Sequence, residues 1–163
     1  MMMTREDRLY DFSSEESQVP KIEIAFPEKP EISSLTEVDE GLYQSFMVPS
    51  LRRQISEIII QYQYIPALLE IFEYCEDCGM VEELGKLFRI FKLIFLLNGQ
   101  EVLKELMALD HFLLVAGVME HDPLLGPDHA KQQIFRKYLS DSDKFKQVPI
   151  VVVVDKYNCN PPF

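Results

Sequence analysis

The residues from Met80 to Leu97, MVEELGKLFRIFKLIFLL, show the most informative helical pattern in the chain. Its charged residues recur every three or four positions, at Glu82, Glu83, Lys86, Arg89 and Lys92. This spacing places them on one stripe of a helix, and nearly every other residue is apolar. The stripe ends at Lys92. The pattern therefore predicts a helix that is buried on most sides, with a last turn that is covered all round.

Segments upstream of this helix also have helical periodicity. Apolar residues between positions 51 and 65 follow the spacing of one buried face, and Ser50 is a suitable N-cap. Pro66 suits the first position of a second helix. That helix is predicted to end at Gly79, a residue that readily adopts the left-handed conformation found after helices.

Three further helices are predicted downstream. The first contains Val102 and Leu106, the second spans residues 112–119 with Asp110 as its cap, and the last spans residues 128–139. Within the second, Gly117 suggests close approach of a neighbouring backbone. Helix pairs thus begin near residues 50, 80 and 110. We expect an all-α, armadillo- or HEAT-like stack of antiparallel helix pairs, with about six helices.

Charge and apolar content differ along the 163 residues and define three segments. The chain is 47% apolar and 26% charged, which fits one folded domain, and its net charge of −11 argues against nucleic acid or an anionic membrane as the main partner. Residues 1–41 carry −7 of this charge and are predicted to be a mostly disordered lead-in, with a weak edge-strand signal at residues 21–26. Residues 42–150 form the predicted helical domain, and residues 151–163 an irregular tail.

The cysteines and the hydropathy of the chain indicate the cellular compartment in which we expect the protein. Three cysteines follow a start without a secretory signal, so we expect a reduced nuclear or cytosolic setting. The longest uncharged stretch, residues 58–69, is too short to span a membrane.

The chain offers few candidates for chemistry. Cys75 and Cys78 form a lone C-x-x-C at a predicted helix end, where partly buried cysteines are the expected outcome; a zinc site would require a histidine to join them. His121 and Asp122 could form an acid–base couple, although a turn at Asp122-Pro123 is favoured. Because no nucleophile or phosphate-binding glycine loop accompanies them, we expect no catalytic residue, no cofactor and no metal.

Five charged residues are candidates for protein binding: Arg52, Arg53, Glu76, Asp77 and Asp122. Glu76 and Asp77 lie in the last turn of a predicted helix, where the helix dipole disfavours anions; a solvated helix end is the alternative explanation. Arg52 and Arg53 are the only adjacent basic pair, although Arg53 could simply pair with Glu57.

Several segments resemble one known family in order and spacing. LGKLFRIFKLIFLLN at residues 84–98, VAGVMEHDP at residues 115–123 and KFKQVPI at residues 144–150 are similar to segments of the SMEK family, which includes falafel. This family is regulatory subunit 3 of protein phosphatase 4. The resemblance covers roughly residues 27–150.

The resemblance implies an armadillo-like domain without catalytic activity that directs the phosphatase 4 catalytic subunit to substrates. The implied partners are that catalytic subunit and its other regulatory subunit, in the nucleus and cytoplasm. Family members are several times longer and begin with a pleckstrin-homology-like domain, so we expect a truncated relative, an alternative product or an incomplete gene model. The alternative is a truncated helical interaction protein with no link to the phosphatase.

Overall fold

The computed structural model describes residues 26–141, and almost all of the predicted edge strand and the whole predicted tail lie outside this range. The described residues contain one short 3-10 helix, Ile32–Ser34, and eight α-helices. These are α1 (Leu35–Ser45), α2 (Pro49–Gln61), α3 (Tyr64–Asp77), α4 (Val81–Leu97), α5 (Gln100–Leu106), α6 (Phe112–Met119), α7 (Pro127–Gln132) and α8 (Ile134–Ser140). The predicted all-α class is confirmed.

Helix α4 is the centre of the stack, as its sequence predicts. It packs against α1, α3, α5 and α6, and its residues Leu87, Ile90 and Phe91 are fully buried. Helices α2 and α3 pack against each other, α3 and α6 both pack against α4, and α8 packs against α6. These contacts fit the predicted armadillo-like helical stack. The last turn of α4 differs from the prediction, since Leu96 is 56% exposed.

The turn between α3 and α4 is built as the sequence predicts. Gly79 has φ +66°, and its N–H donates to the carbonyl of Glu76 at 3.1 Å. The N–H of Met80 donates to the carbonyl of Cys75 at 2.9 Å. Together these bonds form a Schellman motif, which reverses the chain after α3 and lets α4 return along it.

Helix α1 was not predicted and overlaps the predicted lead-in at residues 35–41. Leu35, Val38 and Leu42 are fully buried against the core. The chain before the helix is also attached, because the Tyr64 hydroxyl donates to the carbonyl of Pro27 at 2.7 Å and its ring stacks on Phe26. The helix was missed because only three apolar side chains form its buried face within an acidic, serine-rich segment, and tertiary packing stabilises it.

Two predicted caps are wrong. Val48 precedes α2 and Pro49 is its first residue, so Ser50 already lies inside the helix. His111, and not Asp110, is the residue before α6, where its Nδ1 lies 2.9 Å from the carbonyl oxygen of Glu105. Proline at the first helical position explains the earlier start of α2, because its missing N–H would have no partner there.

The last predicted helix is divided in two. Gln133 adopts φ 50°, so α7 ends at Gln132 and α8 begins at Ile134. Breaking the helix frees the first N–H groups of α8 for a partner outside the helix. That partner is a glutamate at the end of α6.

Candidate functional site

A partly buried cluster of charged side chains joins α3, α6 and α8. We call Glu76, Glu120, His121 and Arg136 the Arg136 cluster. The guanidinium of Arg136 donates to both carboxylate oxygens of Glu76, at 2.9 and 2.6 Å, and its Nε donates to Glu120 Oε2 at 2.7 Å. His121 Nε2 lies 3.2 Å from Glu76 Oε1. One arginine therefore binds two carboxylates from two other parts of the fold.

Glu120 is the most buried member of the cluster, with none of its surface exposed. Its Oε1 accepts the backbone N–H of Arg136 at 3.0 Å, so this carboxylate also caps the N-terminus of α8. A buried carboxylate is strongly unfavourable unless it is paired and hydrogen-bonded. The position of α8 therefore depends on the two contacts that Glu120 makes to Arg136.

The guanidinium fits a notch in α6. A Cβ added at Gly117 would lie 2.9 Å from Arg136 Nε, closer than side chains tolerate. The guanidinium also lies over the Phe72 ring, 5.8 Å from its centroid. The predicted close approach at Gly117 is real, but the neighbour is the side chain of Arg136 and not a backbone.

Acid is expected to weaken the fold through Glu76. Hydrogen bonds from Arg136, opposed by burial, hold the pKa of Glu76 below its usual value of about 4.5. The stabilisation from a lowered carboxyl pKa is complete above the unfolded pKa and is lost as pH falls through the folded one. We expect the free energy of unfolding, measured by urea titration between pH 6 and pH 3, to fall below about pH 4.5.

The variant Glu76→Gln should flatten this dependence, because it removes the titrating group. Glu57→Gln is the matched control, since Glu57 is an exposed partner of Arg53 in an i, i+4 pair. Equal acid-side slopes in the native chain and Glu76→Gln would contradict a role for this pKa shift.

A second feature lies beside the cluster, in the turn after α6. We call Val81, Pro123 and Leu124 the Leu124 surface. Val81 and Pro123 line a cavity of about 270 Å³ between the start of α4, this turn and α7. Leu124 is 92% exposed and Val81 is 72% exposed. Large apolar side chains next to an open cavity are typical of protein-binding surfaces.

The turn that carries Leu124 is fixed by hydrogen bonds. The Leu124 N–H donates to the Asp122 carboxylate at 2.9 Å, and the Leu125 N–H donates to the Asp122 carbonyl at 3.0 Å. The predicted turn at Asp122-Pro123 is therefore confirmed.

The structure brings together three of the five predicted binding residues. Glu76 contacts His121, the residue before Asp122, while Asp77 follows Glu76 and is exposed. The carboxylate of Glu76 is engaged inside the molecule, which gives its unusual position a structural reason. Binding of a partner by Glu76, Asp77 or Asp122 stays a prediction.

Arg52 and Arg53 lie on α2 with partners of their own. The Arg52 guanidinium lies over the Phe46 ring, 4.9 Å from its centroid. Arg53 Nε donates to Glu57 at 3.2 Å, as predicted, and its side chain is 85% exposed. Their proposed binding role also stays a prediction.

Other surface features are less specific. A groove of about 450 Å³ between α1 and α4 contains the 2.6 Å pair of Asp39 with Arg89, and burial raises the pKa of Asp39 more than Arg89 lowers it. Of the two described cysteines, Cys75 is buried and Cys78 is exposed, and both are free thiols; burial raises the pKa of Cys75.

The described part of the chain contains neither a metal-binding cluster nor a membrane-spanning helix. Between residues 26 and 141, no three His, Cys, Asp or Glu side chains are grouped closely enough to hold a metal ion. In the same range, no helix has the length and apolar character needed to cross a membrane.

Sequence reasoning missed Arg136, Glu120 and Leu124. Arg136 contacts Glu76 across 60 positions, and no local spacing indicates such a contact. The only available signal was Glu120 at the end of a nearly wholly apolar helix, where an acid opposes the helix dipole.

Comparison with known proteins gives consistent matches. A family model described as phosphatase 4 regulatory subunit 3 matches residues 37–156. The chain is 34% identical over 121 residues to serine/threonine-protein phosphatase 4 regulatory subunit 3 of Drosophila melanogaster, covering 74% of this chain and 12% of the relative. It is 32% identical over 122 residues to protein PPP4R3C1 of Mus musculus, covering 74% of this chain and 14% of the relative.

A further relative extends the match to yeast. An uncharacterised protein of Schizosaccharomyces pombe is 35% identical over 120 residues, covering 73% of this chain and 14% of the relative. No solved structure matches the chain. The matched region spans only about one seventh or less of these relatives. Because the family model covers most of the chain, including nearly the whole helical stack, this protein belongs to the phosphatase 4 regulatory subunit 3 family.

Proposed function

We propose that this chain acts as a non-catalytic regulatory subunit of protein phosphatase 4 and directs the catalytic subunit to its substrates. The observation that carries the proposal is the family match over residues 37–156, because this region contains nearly all of the helical stack. The proposed partners are the catalytic subunit and its other regulatory subunit, and the proposed location is the nucleus and cytoplasm.

The proposed mechanism is recognition by a rigid surface. A stack of packed helix pairs holds exposed side chains of successive helices at fixed separations. One region of such a surface can bind the catalytic subunit while another binds a substrate, which raises the local concentration of substrate at the active site. Among the predicted residues, Arg53 and Asp77 are exposed and available for such contacts.

The test is direct binding of the full 163-residue chain to the purified phosphatase 4 catalytic subunit, measured by calorimetry. We expect a dissociation constant of about 1 µM or tighter. Replacing the exposed residues Arg53 by Glu and Asp77 by Lys should weaken binding, whereas the control Glu37→Lys at an exposed position of α1 should not.

Failure of the folded chain to bind would overturn the proposal. That result would favour the alternative, a helical interaction protein without a phosphatase partner. The catalytic subunit of an unrelated serine/threonine phosphatase provides the specificity control, and equal binding to both would also count against the proposal.

A further inference from the structure

The Leu124 surface combines a fixed backbone with an exposed apolar side chain. Asp122 accepts the N–H of Leu124 at 2.9 Å, and the preceding residue, His121, contacts Glu76 of the partly buried Arg136 cluster. The turn is therefore tied to α3. An exposed leucine on such a turn loses little backbone freedom when it is buried by a partner, which favours binding.

The cavity distinguishes this leucine from the other strongly exposed one. Leu109, in the link between α5 and α6, is 72% exposed, and neither it nor its neighbours Ala108 and Asp110 line a described cavity. Leu124 does not line the 270 Å³ cavity itself, but it directly follows Asp122 and Pro123, which do. A partner side chain could enter this cavity while Leu124 packs beside it.

Two carboxylates near the surface have no ion-pair partner among the described residues. Within residues 26–141, neither Asp77 nor Asp122 has a lysine, arginine or histidine in an ion pair, although Lys86 pairs with Glu82 and Lys131 with Asp128. Beneath the surface, the Arg136 cluster places two carboxylates against one guanidinium. Carboxylates without an ion-pair partner, such as those of Asp77 and Asp122, attract cations.

We propose that the Leu124 surface binds a segment of another protein in which one apolar side chain is flanked by lysine or arginine. The apolar side chain enters the cavity beside Leu124, and the flanking cations face Asp77 and Asp122. A second copy of this chain fits less well, because the Asp77 and Asp122 carboxylates of the two copies would repel each other. This site does not depend on the proposed binding of the phosphatase.

The experiment uses the full chain and the fluorescein-labelled peptide GSKRLRKSG, followed by fluorescence anisotropy at 50 mM salt. We expect saturable binding that weakens when the salt concentration is raised. The peptide GSKRSRKSG, which lacks the apolar side chain, should bind at least tenfold more weakly, and the acidic peptide GSEELEESG should not bind.

Variants of the chain locate the site. Leu124→Ser should weaken binding about tenfold, the difference expected from losing roughly 1.4 kcal/mol of apolar contact. Asp77→Lys should also weaken it, and the exposed control Leu109→Ser should bind as the native chain does. Equal binding by Leu124→Ser, or equal binding of GSKRLRKSG and GSKRSRKSG, would overturn the proposal. If the native chain self-associates and Leu124→Ser abolishes this self-association, the proposal is also overturned, and the surface binds a second copy of the chain instead.

Discussion

Replacement of Arg136 by methionine is expected to release α7 and α8 from the rest of the stack. Neither helix contains a buried residue of its own, so apolar packing alone holds them weakly. Methionine cannot pair with Glu120, whose surface is fully buried, and breaking such a pair costs about 3–5 kcal/mol. Undocking α8 relieves this cost by returning Glu120 to water.

Hydrogen exchange measures this release. We expect protection of the amides in residues 127–140 to fall by roughly 100-fold or more, as a loss of about 3 kcal/mol implies, while α4 stays protected. Arg53→Met is the control, because the Arg53 pair with Glu57 is exposed and should contribute less than about 1 kcal/mol. Unchanged protection in Arg136→Met would show that α8 is held by other contacts.

Replacement of Phe91 by alanine is expected to destabilise the whole stack. Phe91 is fully buried in α4, the helix that contacts α1, α3, α5 and α6. Truncation removes the buried ring and leaves a cavity among these helices, and such changes cost about 3–5 kcal/mol. Urea unfolding should show a lower midpoint with a nearly unchanged slope.

Leu96→Ala on the same helix is the control for Phe91→Ala. Leu96 is more than half exposed, so its truncation should cost less than about 1 kcal/mol. If both variants lost equal stability, α4 would not be the centre of the core. A loss confined to a few amides in Phe91→Ala would also contradict its proposed global effect.

The periodicity of the sequence was sufficient to predict helices α2 to α6, but not α1. The charge stripe of residues 82–92 located α4, and Gly79 located the turn before it, because both signals are local. Membership of the family was also predicted correctly from the segments at residues 84–98 and 115–123.

The contacts of the candidate site could not be predicted in the same way. Arg136 pairs with Glu76, which is 60 residues away in sequence, and with Glu120, which is 16 residues away. These pairs form only when three helices are packed together, so they cannot be identified from local sequence. The break at Gln133 was missed for a related reason, since the carboxylate that caps α8 comes from the end of α6. Helix α1 was missed because its few apolar residues are stabilised by α4 and not by local propensity.

The Arg136 cluster also bears on how cooperatively the protein unfolds. In repeat proteins, stability is approximately a sum of terms between adjacent repeats, so a terminal unit can fray independently. Here a side chain of α8, the last helix of the described residues, is bonded directly to α3, in addition to its neighbour α6. Helix α8 is thereby coupled to the interior of the described helices, and α3, α6 and α8 should open as a single cooperative unit rather than one after another.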